Sequence, residues 1–251
     1  LDAWAHMFTT LSLGGLSTHD ASFGFFNSPL LEWIAIVFML LASCNFALYF
    51  VALVKRQPLK VLRDPEWRAS IGLLVGVSLM IAALLWFKGH SADLADIIRM
   101  SLFNVISIGS TTGYATVDYT QWPVFAPIVM IMLSGVATSA GSTGAGIKMA
   151  RLVILVKQAR REMRAIIHPR AVQPVTLAGH PVDNRTIFSV LGFMLMYGGT
   201  IIVLTLLLLL TDMPFETAFS AVVASVNNMG PGLNEVGPAG NYASLSATQL
   251  W

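Results

Sequence analysis

The sequence predicts an all-α integral membrane protein built from repeated helix–re-entrant loop–helix units. Three observations carry that expectation. Of the 251 residues, 55% are hydrophobic and only 11% are charged, far from the balance of a water-soluble domain. Thirteen of the fifteen Lys and Arg residues fall in two blocks, Lys55–Arg68 and Lys148–Arg185, and the positive-inside rule puts both on the cytoplasmic side. Finally, a glycine motif recurs. Gly15-Leu-Ser-Thr-His-Asp20 and Gly113-Tyr-Ala-Thr-Val-Asp118 share the order Gly, apolar, small, Thr, any, Asp, and Gly230-Pro-Gly-Leu keeps the glycine.

The elements follow in order. A bilayer is crossed by about 20 apolar residues, and four stretches are long enough: Leu30–Val54, Ala69–Phe87, Trp122 to about Ile166, and Thr186–Leu210. The third is too long and is interrupted by SAGSTGAGIK, Ser139–Lys148. Three shorter segments, Trp4–Asp20, Arg99–Asp118 and Phe215–Glu235, begin with a helical run too short to span and end in a polar, glycine-containing strip. With both basic blocks inside, all three enter from the outer face and return to it. Successive glycines enclose one inward and one outward helix, so the unit is helix, loop, helix. Residues 69–185 form one complete unit with its cytoplasmic basic segment. Residues 1–68 supply the loop, outer helix and linker of the preceding unit, and 186–251 a following unit without its last helix. Because the chain opens abruptly at Leu1, which is not an initiator Met, it reads as a piece of a longer protein. Gly72 and Gly76 form a GxxxG pair, which predicts close helix packing.

Other chemistries lack residues. A single cysteine, Cys44, allows no disulfide within the chain. The five histidines show no paired ligand spacing. No nucleophile–base set is apparent, so the chain is not read as an enzyme. Asp2, Asp20, Glu32, Asp93, Asp96, Asp118, Asp212, Glu216 and Glu235 are expected on the outer face against only Lys88 and Arg99. An acidic vestibule of this kind concentrates cations; the general scarcity of Lys and Arg in outer loops explains the same pattern.

The strips suggest what such a vestibule would feed. Irregular backbone is tolerated at membrane depth only when buried in protein or lining an aqueous cavity. Ser110-Thr111-Thr112-Gly113 offers carbonyl and hydroxyl oxygens without formal charge, ligands able to replace the hydration shell of an alkali cation, as in potassium channels. Glycine turns a carbonyl toward the axis without obstructing it, and the helix ahead of each strip aims its negative C-terminal end at the same place. The competing reading is a set of re-entrant packing loops. Gly141-Ser-Thr-Gly-Ala-Gly146-Ile-Lys148 is a near miss to a phosphate-binding loop, but Ile147 stands where the lysine belongs and no strand precedes it.

The stretches TTLSLGGLSTHDASFGFFNSP, SIGSTTGYATVD, AGSTGAGIKMARL and VNNMGPGL resemble the Trk/Ktr/HKT superfamily of potassium transporters, most closely its bacterial Trk-system membrane subunits of the TrkH and TrkG type. The resemblance runs along essentially the whole chain. It implies four helix–loop–helix repeats around a central pore, each supplying a filter strand with a key glycine. Gly15, Gly113 and Gly230 would be the filter glycines of the second, third and fourth repeats. Their strips would be Thr10, Leu11, Ser12, Leu13 and Gly14; Ser110, Thr111 and Thr112; and Ser225, Val226, Asn227, Asn228 and Met229.

The resemblance also implies that Ala140, Gly141, Ser142, Thr143, Gly144, Ala145 and Gly146 form a gating loop below the filter; a passive helix break is the alternative. Lys148 would hold that loop or repel cations, or simply snorkel to the interface. The implied function is potassium uptake through a channel-like pore in the bacterial inner membrane, with potassium the transported ion. The alternative is a secondary transporter with broken helices for sodium or mixed sodium and potassium, coupled to another ion. A homodimer and a cytoplasmic nucleotide-binding regulatory subunit are the implied partners, the nucleotide residing on that subunit. The basic stretch Lys157–Arg170 suits either that subunit or anionic lipid. No nucleic-acid partner is expected.

Overall fold

The computed structural model describes residues 1–91, 93–168, 173–177 and 179–250. Of the basic stretch, Arg170 lies outside the described residues.

The chain is helical almost throughout. Its membrane part runs α1 (Asp2–Leu11), α2 (Pro29–Ala42), α3 (Phe46–Val54), α4 (Leu59–Arg63), α5 (Pro65–Phe87), α6 (Leu94–Gly109), α7 (Phe125–Ser134), α8 (Met149–Ile167), α9 (Asn184–Leu209) and α10 (Phe215–Val226). Sequence chemistry sets the starts. Asp64 caps α5 by accepting the Trp67 N–H at 2.8 Å, with Pro65 in the first helical position. Asp93 caps α6 through Ala95, and Asp183 caps α9 through Arg185. Helices α5 and α9, of 23 and 26 residues, are long and apolar enough to cross a membrane. At 1.5 Å per residue, α5 is about 34 Å long, against a hydrocarbon core of about 30 Å.

Leu30–Val54 differs from the single span expected. It is two helices, α2 and α3, bent by 88° at Ser43–Asn45. The cause is local and then tertiary. Asn45 caps a new helix through the Ala47 N–H at 2.9 Å. The freed backbone groups pair with the irregular segment between α7 and α8: Ser139 N–H donates to the Ser43 carbonyl at 2.9 Å, and Phe46 N–H to that of Gly141 at 3.3 Å. Cys44 therefore sits, buried, in a kink. The outward helix of the third unit breaks over Gly135–Lys148, somewhat more widely than SAGSTGAGIK suggested.

Helix α6 is the centre of the fold, with Ile97, Phe103, Val105, Ile106 and Ile108 all inaccessible to solvent. It packs between α5, α2 and α7. Gly72 and Gly76 face away from this core with no atom within 4 Å of either added Cβ, so among the described residues they mediate no close packing. A short antiparallel pair, Thr176–Leu177 with His180–Pro181, joins α8 to α9 over a small second cluster of Ile154, Val175, Ile187 and Val190. Two residues per strand are too few to read from hydrophobic alternation.

Two of the expected vestibule acids are spoken for. Arg99 pairs with Glu32 of α2 at 3.0 Å and with Asp96 at 2.7 Å, its side chain 14% and that of Glu32 8% exposed. Removing one partner of a buried pair leaves an uncompensated charge, which costs about 3 kcal/mol or more. Arg99→Ala should therefore lower the melting temperature of the purified protein in detergent markedly, and Arg99→Met with Glu32→Leu should recover most of the loss. An unchanged melting temperature for Arg99→Ala would show the pair to be dispensable.

Candidate ion pathway

The three re-entrant helices end in the same way. Each helix stops at a capping residue (Ser12, Ser110, Asn227), and the next residue adopts a left-handed backbone: Leu13 at φ +53°, Thr111 at +64° and Asn228 at +50°. The following amide reaches back to the last helical turn: Gly14 to Thr9, Thr112 to Ser107, and Met229 to Ala224, each at 2.8 Å. This is a Schellman closure repeated three times. Two residues after the left-handed residue comes the glycine, itself left-handed, with Gly15, Gly113 and Gly230 at +60°, +92° and +94°. Leucine and the β-branched Thr111 adopt such angles only under strain, and strain of this kind gathers at functional sites.

Thr10, Leu11, Ser225 and Val226 are thus helical, so the first and last irregular strips begin two residues later than the sequence suggested, while the middle one begins at Ser110 as expected. Helix propensity carries those residues along until the capping residue ends the run.

The strips lie side by side. A Cβ on Gly15 would overlap the Thr112 carbonyl oxygen, and one on Gly113 would overlap that of Met229. Gly230 has nothing within 4 Å among the described residues. The third strip is therefore the middle one, and Ser110, Thr111 and Thr112 are at most 1% exposed. Ser12 and Gly14 on one flank, and Asn228 and Gly230 on the other, are exposed.

The hydroxyls do something other than expected. Ser110 Oγ and Thr112 Oγ1 bond each other at 2.7 Å, and Thr111 Oγ1 accepts the Ala145 N–H at 3.2 Å. They brace the strip. Of the twelve carbonyls in residues 12–15, 110–113 and 227–230, only that of Gly230 receives a hydrogen bond among the described residues, from the Tyr242 hydroxyl at 2.8 Å. Leu13, Thr111, Thr112 and Met229 are buried, and unpaired backbone oxygens in a protein interior are uncommon and call for a ligand.

Behind the strips, each re-entrant helix clasps its returning chain with a different polar group. His6 meets Ser17 Oγ at 3.0 Å. Asn104 accepts the Thr116 N–H at 3.1 Å and donates to Thr116 Oγ1 at 2.9 Å. Ser220 Oγ accepts the Leu233 N–H at 2.9 Å. Tyr114 crosses from the third unit to the second, bonding the Thr9 hydroxyl and packing against His6 and Phe23. The clasps were invisible in sequence because their chemistry is not repeated. On the outer loop, partial burial raises the Asp118 pKa, but hydrogen bonds from the Thr120 hydroxyl, the Gln121 side chain and the Thr120 N–H outweigh it. Its carboxyl stays below the ordinary range.

Residues 140–146 lie directly under the third strip. Besides the Ala145–Thr111 bond, a Cβ on Gly144 would stand 3.1 Å from the Ser110 carbonyl oxygen. Lys148 folds back over this segment, its ammonium donating to the carbonyls of Ser142, at 3.3 Å, and Gly144. Asn227, at the base of the fourth strip, donates to Ser134 Oγ at 2.9 Å and accepts from the Tyr197 hydroxyl at 2.7 Å. Among the described residues there is no group of three or more His, Cys, Asp or Glu suited to a metal ion. The ligands on offer are backbone oxygens.

Broken helices, re-entrant helices and a shared bundle of unpaired carbonyls define a class: multi-pass membrane proteins that build a polar backbone path through the bilayer. The family model described as TrkH, cation transport protein, matches residues 1–249. The chain belongs to this family. It is 37% identical, over its whole length, to the Trk system potassium uptake protein TrkH of Salmonella typhimurium, covering 51% of that protein. To TrkH of Vibrio parahaemolyticus it is 40% identical over 94% of this chain and 49% of the relative. The crystal structure of the potassium transporter TrkH from Vibrio parahaemolyticus superposes with a TM-score of 0.89 at 39% identity, over 94% of this chain and 51% of that one. The chain thus spans about half the length of the relatives it matches.

Proposed function

We propose that this chain forms the larger part of a pore for potassium uptake across the bacterial inner membrane. The observation that carries this is the set of unpaired carbonyls on three adjacent strips, each at the negative end of a re-entrant helix. Neutral, weak-field oxygens of this kind suit a monovalent cation. The relatives named above are potassium uptake proteins.

The strips Ser12–Gly15, Ser110–Gly113 and Asn227–Gly230 are the filter in this reading, and a fourth strip from a further repeat stands between the flanks of Gly230 and Ser12. Residues 69–185 are then the third repeat, with 1–68 and 186–251 parts of the second and fourth. Residues 140–146 are the gate. The chain conducts rather than catalyses. A homodimer and a cytoplasmic nucleotide-binding regulatory subunit complete the assembly. The cleft of about 220 Å³ bordered by Lys157, Arg160, Arg161 and Arg164 is a fitting part of the docking face.

The test is radioactive rubidium uptake by cells deficient in potassium uptake that express the complete reading frame, with potassium and sodium as competitors. Uptake blocked by potassium and only weakly by sodium is expected. Equal competition by sodium, or none by potassium, would favour an ion-coupled transporter of another cation.

A further inference from the structure

Glu66 stands in the first turn of α5, just past the Asp64 cap. Its Oε1 accepts the Ala140 N–H at 2.5 Å. Ala140 opens the intramembrane loop, so this bond ties the start of the break to α5. One turn further along α5, Ser70 Oγ meets Ser139 Oγ at 3.1 Å.

The other end of the loop, where α8 begins, is strained. Lys148 at its N-cap makes no side-chain capping bond, and its backbone, at φ +74° and ψ 144°, occupies a region that is nearly glycine's alone.

We propose that Glu66 is the latch of the intramembrane loop, a positioning residue that ties its start to α5 and whose release opens the path below the filter. This rests on the reading of residues 140–146 as a gate. A loop strained at its exit and held at its start by one carboxylate has two arrangements available, closed with the bond made and open with the strain relieved. Without Glu66, the bonds from Thr111 and Lys148 remain, together with those at the α2–α3 kink.

The test uses the complete protein in liposomes. Glutamine keeps a neutral acceptor oxygen for the Ala140 N–H; alanine keeps none. Basal rubidium flux should rise in the order wild type, Glu66→Gln, Glu66→Ala, reaching about tenfold, the equivalent of one charge-assisted hydrogen bond. A second readout is independent of flux. Ala145→Cys places a thiol in the half-buried space between loop and filter. Its labelling by a thiol reagent from the cytoplasmic side, read by mass on the peptide that carries it, should accelerate in the same order. Where Glu66→Ala fails to fold, the near-isosteric Glu66→Gln carries the comparison.

A passive tie would lower the melting temperature and leave labelling unchanged, and wild-type labelling in both variants overturns the latch. Accelerated labelling supports it even if deleting residues 140–146 leaves flux unaltered. That last result would overturn the gate instead.

Discussion

Gly113→Ala reduces potassium-sensitive rubidium uptake by the complete protein by about a hundredfold, the scale set by misplacing a reacting or coordinating group by about 1 Å. Two costs act together. At φ +92° an alanine pays the left-handed penalty of about 1–2 kcal/mol. Its Cβ would also overlap the Met229 carbonyl oxygen, which is backbone of the adjacent strip and itself unpaired. Relieving the overlap moves that strip. Gly113→Arg, with a cationic side chain added at the same place, should abolish uptake outright while the protein remains in the membrane. The control is Gly72→Ala, on an exposed face of α5 with nothing within 4 Å, which should leave uptake unchanged. Wild-type uptake by Gly113→Ala, at equal expression, would remove this strip from the ion path.

Deleting residues 140–146 raises basal flux, by at least about tenfold if the closed loop is favoured by 1.4 kcal/mol or more. The geometry makes this deletion informative. Ile147 N–H already donates to the Gly135 carbonyl at 2.5 Å, and Met149 N–H to that of Thr138 at 2.8 Å. The two ends of the excised segment are therefore close, and rejoining them disturbs α7 and α8 little. What disappears is the layer beneath Ser110 and Thr111. The Thr111 hydroxyl loses its Ala145 donor but remains able to bond water. Flux measured in liposomes, with melting temperature to establish folding, decides the matter: unchanged flux in a folded deletion variant makes the segment a passive break in the helix.

Much of the architecture was legible without coordinates, and the reason lies in the range of the forces. Hydropathy over about 20 residues is a property of a segment, so α5 and α9 were readable within a few residues of their ends. The demand for glycine at a left-handed position is a property of one residue. That is why Gly15, Gly113 and Gly230 stood out, although the strained Leu13 and Thr111 beside them did not. The basic blocks marked the side of each turn for the same reason, since charge near a span acts locally.

Pairings between repeats were another matter. Leu30–Val54 has the composition of one span, and only the Ser43–Ser139 and Phe46–Gly141 bonds show why it bends. Ser110, Thr111 and Thr112 looked like ligands by type. Their neighbours turned the hydroxyls into braces and left the carbonyls unpaired. Nothing in the sequence singled out Glu66, whose partner Ala140 lies 74 residues further on. The sequence by itself determined a membrane protein of repeated re-entrant loops with three special glycines, because each of those properties belongs to a single residue or segment. Which strips touch, which oxygens stay unpaired and what residues 140–146 pack against were decided by tertiary structure, because a hydrogen bond across repeats exists only once both partners have been carried to the same place.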